Sequence, residues 1–458
     1  MKTIPLPKGA LTREERRAAG KALRDKLSRT SHADWKPHAN RQDPIDLLIE
    51  SCRGHLQQLI PIRYGRMIQS PFVFYRGAAA IMAADLANTP TSGIRMQACG
   101  DCHLLNFGGF ATPERHIVFD INDFDETLPG PWEWDIKRLA VSVVIAGRHN
   151  GFSREEVREG AIRCVQSYRE HMQTYAEMGV LGMWHERIDA ESLISMMQSK
   201  EWKEIVQNQI AKATSHTVLE DDFPKLASVK NGKVQIKDNP PLIFHQSSVG
   251  LAEFDKVVKE GFCRYRETLT DDLKELLDRY EIKDVAMKVV GVGSVGTRCA
   301  ILLMMTADGD ALFLQVKDAR TSVLEPYTSK SVYQNCGQRV IAGLKLMQSA
   351  SDMFLGWTEV LGRHYYIRQL RDIKIKPQVE RFDAPRMVKY AEYCGWALAR
   401  AHAKSGDAAM ISGYLGNSSK FDEAIASFAV NYADQNERDH QALLKAVSAG
   451  KIEVYHEK

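Results

Sequence analysis

Asp101, His103 and Asn106 stand close together in a short loop that opens on Gly100 and ends before Gly108, and a second polar cluster, Asn122-Asp123-Phe124-Asp125, follows within the same stretch, Ala98 to Glu126. A packing segment has no use for so many carboxylates and amides. Between the clusters, His116-Ile117-Val118-Phe119-Asp120-Ile121 alternates in the manner of a strand, so the second cluster sits at a strand end and faces the first across a hairpin. An Asp, an Asn five residues on, and an Asp-Phe pair after a strand form the set that phosphoryl transfer from Mg-ATP requires. One carboxylate takes the acceptor hydroxyl's proton, while an amide and a second carboxylate hold the metal that neutralises the phosphates. In this arrangement Asp101 is the base and Asn106 and Asp123 are the magnesium ligands. The same residue types are ordinary turn formers, which leaves a structural polar hairpin as the alternative.

A second set lies far downstream. Val285 to Val290 reads as a strand, Gly291-Val292-Gly293-Ser294-Val295-Gly296 as a glycine-rich turn, and Arg298 to Met305 and Ala311 to Lys317 as two more strands. Strand, glycine turn, strand, strand ending in lysine is how a kinase-type sheet covers ATP phosphates with backbone N–H groups and reaches them with one lysine. No helix follows the glycines, which argues against a dinucleotide-binding fingerprint. Gly291, Gly293 and Gly296 would cover the phosphates and Lys317 would fix them. Glu325 is placed to orient Lys317, with Gln338 or Asp352 as alternatives. Tyr365 to Leu370, Arg368 included, supplies the strand and hinge beside the adenine. Arg63, Arg66 and Arg76 flank the aromatic run Phe72-Val73-Phe74-Tyr75 and either grip a phosphate or an anionic substrate, Arg76 in particular, or pair with the carboxylates.

The remaining elements must position these groups. A chain of 458 residues suggests two or three domains, and a net charge of +3 is too small to imply a nucleic-acid surface. Residues 1–42 are basic and read as a solvated helical arm. Leu139 to Ala146 is too short to span a bilayer and the N-terminus lacks a signal peptide's apolar core, so the expected location is the cytoplasm, with no membrane partner. Cys99-Gly100-Asp101-Cys102 has the spacing of a metal or redox pair; no second pair follows, and the eight scattered cysteines read as reduced, buried thiols.

Helices are expected over 12–30, 46–60, 153–214 throughout, 254–280, 333–353 and 385–405, with a chain break at Leu128-Pro129-Gly130-Pro131. Trp134-Asp135 opens a long apolar helix, and Asp135 near its N-terminus anchors the preceding loop structurally. The C-terminal run Tyr432 to His440 reads as a charged helix with a solvated polar face. The regions divide as a basic arm (1–60), a helical lobe with the Asp-x-x-x-x-Asn loop (61–280), a glycine-rich sheet lobe (281–375) and returning helices (376–458).

In kinases the glycine-rich sheet comes first and the Asp-x-x-x-x-Asn loop later; here the order is reversed. The helix ending Ala399-Arg400-Ala401-His402-Ala403 resembles the one that leads into the catalytic loop of aminoglycoside and choline kinases. Circular permutation relates the two orders, tolerated where old termini are close and new ones exposed. The runs Ile62-Arg63-Tyr64-Gly65-Arg66-Met67, Phe74-Tyr75-Arg76-Gly77, Gly100-Asp101-Cys102-His103-Leu104-Leu105-Asn106-Phe107-Gly108, Asp123-Phe124-Asp125-Glu126, Val316-Lys317-Asp318-Ala319 and Tyr432-Ala433-Asp434-Gln435 resemble those of the bacterial domain of unknown function 2252. A looser resemblance to aminoglycoside phosphotransferases rests on Gly100-Asp101-x-His103-x-x-Asn106, Asp123-Phe124 and Asp135, with Cys99 departing from the polar residue usual there.

The expected fold is therefore α+β, a circularly permuted protein-kinase-like fold with a helix-rich large lobe and a small antiparallel sheet lobe. The expected activity is ATP- and Mg-dependent phosphoryl transfer to an unidentified small-molecule or protein hydroxyl. Nucleotidyl transfer with ATP reversed in the same cleft, or an inactive nucleotide-binding module, are the alternatives.

Overall fold

Every residue from Trp132 to Gly147 is buried in the helix Trp132–His149, so this element lies inside the molecule and its charged members must find partners there. A computed structural model describes residues 11–457, apart from 198, 216–217, 219–221, 231, 246–250 and 371–373. The architecture is α+β, mostly helical with several antiparallel sheets. Among the described residues no helix is long and apolar enough to cross a membrane.

The largest sheet has six strands in the order Gly356–Val360, Arg363–Gln369, Ala311–Asp318, Cys299–Met305, Glu281–Lys288, Ile243–Phe244, every neighbouring pair antiparallel. The helix Cys336–Met347 is inserted in the chain between Ala311–Asp318 and Gly356–Val360, and the Asn335 side chain caps it by accepting the Gly337 and Gln338 N–H groups at 2.8 and 3.2 Å. It starts hard against Tyr365, whose carbonyl oxygen would collide with any Cβ at Gly337. A three-stranded sheet, Lys374–Ile375, Phe107–Ala111, Ile117–Ile121, carries the hairpin expected from the alternating sequence. Leu128–Pro131, expected as a break, pairs with Arg95–Ala98 instead, because its prolines fall on a two-stranded ribbon with edges to spare.

Arg154–Glu177 and Ala384–Ser405 pack closely together in the main core. Ser153 and Glu156 close a capping box on the first, and Gly395 of the second lets the backbones meet, since a Cβ there would collide with the Cys164 carbonyl oxygen. The expected continuous helix over 153–214 is four helices, Arg154–Glu177, Val180–His185, Ala190–Met196 and Lys200–Thr214, with residue 198 outside the described part. Likewise 46–60 divides at Gly54, whose φ is +80°, into Pro44–Ser51 and the short turn Gln57–Leu59.

Two expectations of solvated surface are corrected. The arm helix Arg13–Lys26 packs through Gly20 on Ala408–Leu415, and its arginines bind the body: Arg16 pairs with Asp407 at 3.0 Å and Arg24 donates to the Tyr414 carbonyl at 2.8 Å. Lys2 and Lys8 lie outside the described residues. In the C-terminal helix Lys420–Ser448 the polar residues Gln435, Asn436, Asp439 and His440 are buried. Arg41 explains this, bridging Asp85 (2.7 Å) and Asp439 (2.6 Å) while Tyr432 donates to Asp85 at 2.8 Å. A run of charges reads the same along the chain whether its face meets water or a complementary charge.

Gly395→Ala is expected to destabilise the protein by about 1–3 kcal/mol through overpacking at the helix crossing. Urea unfolding should show a lower midpoint with an unchanged slope.

Candidate functional site

The loop after Arg95–Ala98 is held from behind by the buried helix. Asp135 accepts the Cys99 N–H at 2.6 Å and the Gly100 N–H at 3.0 Å, and His402 Nε2 lies 3.2 Å from the same carboxylate. This is the anchoring role its position near the helix start implies. Gly100, at φ +86°, turns the chain so tightly that a Cβ would meet the Glu126 carbonyl oxygen at 2.5 Å.

One helical turn beyond Asp135, Arg138 donates through Nε to Asp101 Oδ1 at 2.7 Å and through Nη2 to the Tyr75 carbonyl at 3.0 Å, with Nη2 also 2.5 Å from the same Asp101 oxygen. With Oδ1 so held, Oδ2 is the atom turned toward the glycine turn, 4.0 Å from the Cβ position of Gly293. Asn106 donates Nδ2 to the Asp101 carbonyl at 2.6 Å, which leaves its amide oxygen to accept or ligate. The Asn122 N–H bonds the Asn106 carbonyl at 2.7 Å, bringing the two polar clusters together at the base of the hairpin. Buried Asp120, paired with Arg400 at 2.9 Å, pins the hairpin to Ala384–Ser405.

The opposite wall is the strand Ala311–Asp318. Lys317 is 3 % exposed, and its Nζ reaches across to Asp125 Oδ2 at 2.7 Å and toward Asp123 Oδ2 at 3.8 Å. Tyr366 donates to the other Asp125 oxygen at 2.5 Å, and Ser294 of the glycine turn donates to Oδ2 at 3.1 Å. Arg339 fixes the backbone beneath, donating to the Asp125 carbonyl at 2.8 Å. The partner of Lys317 is thus Asp125, and the expected alternatives are corrected. Glu325 accepts the Ser331 N–H at 3.3 Å, Asp352 accepts the Phe354 N–H at 2.8 Å, and Gln338 belongs to the first turn of the helix that Asn335 caps. Asp123 and Asp125 both face Lys317, while Phe124 between them is buried.

Asp101, Asn106, Asp123, Lys317, Gly291, Gly293, Arg368 and Arg76 line one cleft of about 1280 Å³. Gly296 and Glu325 stand outside its lining. Gly296, at φ +95°, packs instead on His55, and its carbonyl accepts the Leu56 N–H at 2.8 Å. The turn itself is a tight 3-10 turn, Val292–Ser294, in which the Ser294 and Thr297 N–H groups bond carbonyls of the turn at 2.9 and 3.2 Å. The Ser294 and Thr297 N–H groups are therefore committed within the turn. Arg63 bonds the Gly77 and Gly293 carbonyls at 2.9 and 3.0 Å, and Arg66 pairs with Glu457 at 2.6 Å, so these two arginines build structure. Arg368 donates Nε to Gln315 at 2.9 Å on the cleft wall.

Burial penalises the charge on Lys317, but Asp123 and Asp125 outweigh it and push its pKa well up. Burial would raise Asp125, yet Lys317 and the Tyr366 hydroxyl hold it at about 2. Burial, together with the charge of Asp125, raises Asp123. Lys317 thus stands closer to Asp125 than to Asp123, whose charge is opposed by burial and by Asp125. The Asn106 amide oxygen and the Asp123 carboxylate are the hard oxygen donors that magnesium prefers; such an ion keeps waters and phosphate oxygens as its other ligands. Among the described residues no group of three or more His, Cys, Asp or Glu side chains converges as a metal site. Cys99 and Cys102 are buried free thiols, as are most of the eight cysteines.

A depressed Asp125 stabilises the fold above its unfolded pKa of about 4, and this contribution is lost as the pH falls toward 2. Lys317→Met removes the cause. The stability gap between wild type and variant in urea unfolding should therefore be largest near neutral pH and shrink between pH 4 and 2.

No curated protein and no solved structure matches the chain. A family model described as an uncharacterized protein conserved in bacteria matches residues 54–446, a span that contains the loop, the hairpin, the glycine turn and Lys317. On that match the chain belongs to the family of domain of unknown function 2252 (DUF2252).

Proposed function

We propose that the cleft is the active site of an ATP- and Mg-dependent phosphotransferase with a circularly permuted protein-kinase-like fold. The observation that carries the reading is the Lys317–Asp125 contact of 2.7 Å, which joins the glycine-turn sheet to the Asp-rich hairpin although the two are far apart in sequence. The order strand, glycine turn, strand, lysine strand, helix, strand, strand in one antiparallel sheet agrees with a kinase-type small lobe. Support for the permutation comes from the end of Ala384–Ser405: a Cβ at Gly406 would lie 2.6 Å from the Met96 Cβ, and Ser405 bonds the Gln97 carbonyl at 3.4 Å. The helix that would precede the catalytic loop in the unpermuted order thus ends beside the strand that enters the loop here.

In this reading Lys317 binds the α- and β-phosphates, and Gly291 and Gly293 allow the turn to approach them. Asn106 and Asp123 hold magnesium, which supplies charge neutralisation on the phosphates. Asp101 Oδ2 accepts the proton of the acceptor hydroxyl as its oxygen bonds to the γ-phosphorus; the bond to the β,γ-bridging oxygen breaks and ADP leaves. Arg138 keeps Asp101 aimed.

Nucleotidyl transfer is the second reading, favoured by one observation: the wall that would face the adenine carries Arg368 and Gln315, hydrogen-bonded to each other at 2.9 Å, where a purine wants an apolar surface. ATP bound in reverse would put phosphate there. The mass gained by the product, a phosphoryl or an adenylyl group, separates the two.

Asp123→Ala should abolish ATP turnover, followed by phosphorus NMR with a bacterial small-molecule extract as acceptor source, while circular dichroism stays native. Asp101→Asn should keep ATP affinity and slow transfer by about 100-fold or more, the loss expected for a positioned base. Near-normal turnover in Asp123→Ala would refute the metal assignment.

A further inference from the structure

Arg76 is a cation of the cleft that the transfer of phosphate leaves unexplained. It lines the cleft from the end of helix Pro71–Gly77, and among the described residues its guanidinium makes no hydrogen bond or ion pair. Its Nε is buried without a partner. The carboxylates whose charge reaches it are Glu380 and Asp101, neither within ion-pair distance. A largely buried guanidinium left without an anion is costly, and of these two carboxylates Asp101 is the one that lines the cleft, at the acceptor end of the site.

His103 supplies a second, independent observation. It is 5 % exposed, lines the same cleft, and its Nδ1 is buried with no partner. Its Nε2 stays 3.8 Å from Asp101, beyond hydrogen-bond range. Burial outweighs the charge of Asp101 and, helped by Arg76 and Arg138, drives its pKa to about 3, so the ring is a neutral imidazole with one N–H to give. Two side chains with unpartnered nitrogens, the Arg76 guanidinium and the His103 ring, therefore stand beside the proposed base. At about 1280 Å³ the cleft also exceeds the roughly 300–1,000 Å³ of a typical single-ligand pocket, which leaves room for a second molecule beside a nucleotide.

We propose that Arg76 and His103 form an oxyanion subsite for the acceptor, so that the molecule modified next to Asp101 carries a phosphate or carboxylate group close to its reactive hydroxyl. This rests on the phosphotransferase reading for the word acceptor, but the subsite itself stands on the unpartnered donors. Arg76 then fixes the acceptor through two parallel N–H bonds and His103 adds a third, holding the hydroxyl against Asp101 Oδ2.

The test is calorimetric titration of inorganic phosphate, and separately of acetate, into the full-length protein, alone and saturated with magnesium and a non-hydrolysable ATP analogue. Wild type should bind one of the two anions in both states. Arg76→Gln should weaken that binding at least tenfold, with an unfolding midpoint at or above that of the wild type and unchanged affinity for the analogue. Whichever anion binds more tightly identifies the group. No binding of either anion, binding indifferent to Arg76→Gln, or binding abolished once the analogue fills the site would each overturn the proposal; the last would make Arg76 a γ-phosphate contact. Failure of the analogue to bind would remove the phosphotransferase reading, and the titration without analogue would still decide the subsite.

Discussion

A lysine buried to 3 % exposure cannot remain charged without an anion beside it, and the site depends on how Lys317 meets that requirement. Its neighbour on the strand, Asp318, approaches Arg363 instead; the carboxylate comes from Asp125, on the segment that leaves the hairpin almost two hundred residues earlier in the chain. The pair therefore acts as a clamp between the six-stranded sheet and the hairpin. Tyr366, Ser294 and the Arg339 bond to the Asp125 backbone complete the arrangement, so that Asp125 is held from the sheet, the glycine turn and the intervening helix at once. Removal of the Lys317 charge leaves Asp125 without an ion-pair partner, which costs more than the contact itself contributes, while removal of Asp125 leaves Lys317 only the more distant Asp123 at 3.8 Å.

The second support is the buried helix Trp132–His149. Its N-terminal turn carries Asp135 to the backbone of Cys99 and Gly100, and Arg138, on the same face, to the side chain of Asp101. Residues three apart share a helix face, so one rigid element sets both the path of the loop and the direction of the carboxylate. Because this part of the helix is buried, neither interaction competes with bulk water. A loop held in this way can present Asp101 Oδ2 to the cleft without being fixed by a ligand.

Legibility in the sequence followed the range of the interactions. The long strands, the hairpin, the helix Ala384–Ser405 and the anchoring role of Asp135 were readable because they follow from local periodicity and from the position of a charge at a helix start. The partner of Lys317 was not, since Glu325 is near in sequence while Asp125 is near only in space. Arg63 and Arg66 show the same limit: their type suggested anion binding, but backbone carbonyls and Glu457 claim them, and Arg76 alone of the three lines the cleft without a partner among the described residues. The C-terminal helix looked solvated because its complement, Arg41, lies at the other end of the chain. Gly291 and Gly293 of the glycine turn line the cleft, yet the turn's 3-10 geometry and the packing of Gly296 on His55 depend on tertiary contacts that no turn rule contains.

The most direct test of the central claim, that the sheet and the hairpin together make one nucleotide site, is calorimetric titration of ATP with and without magnesium into the wild type and Lys317→Met. The account predicts magnesium-dependent binding that the variant loses. Absence of binding in the wild type, or binding that persists undiminished in Lys317→Met, would contradict it and return the clamp to a purely structural role.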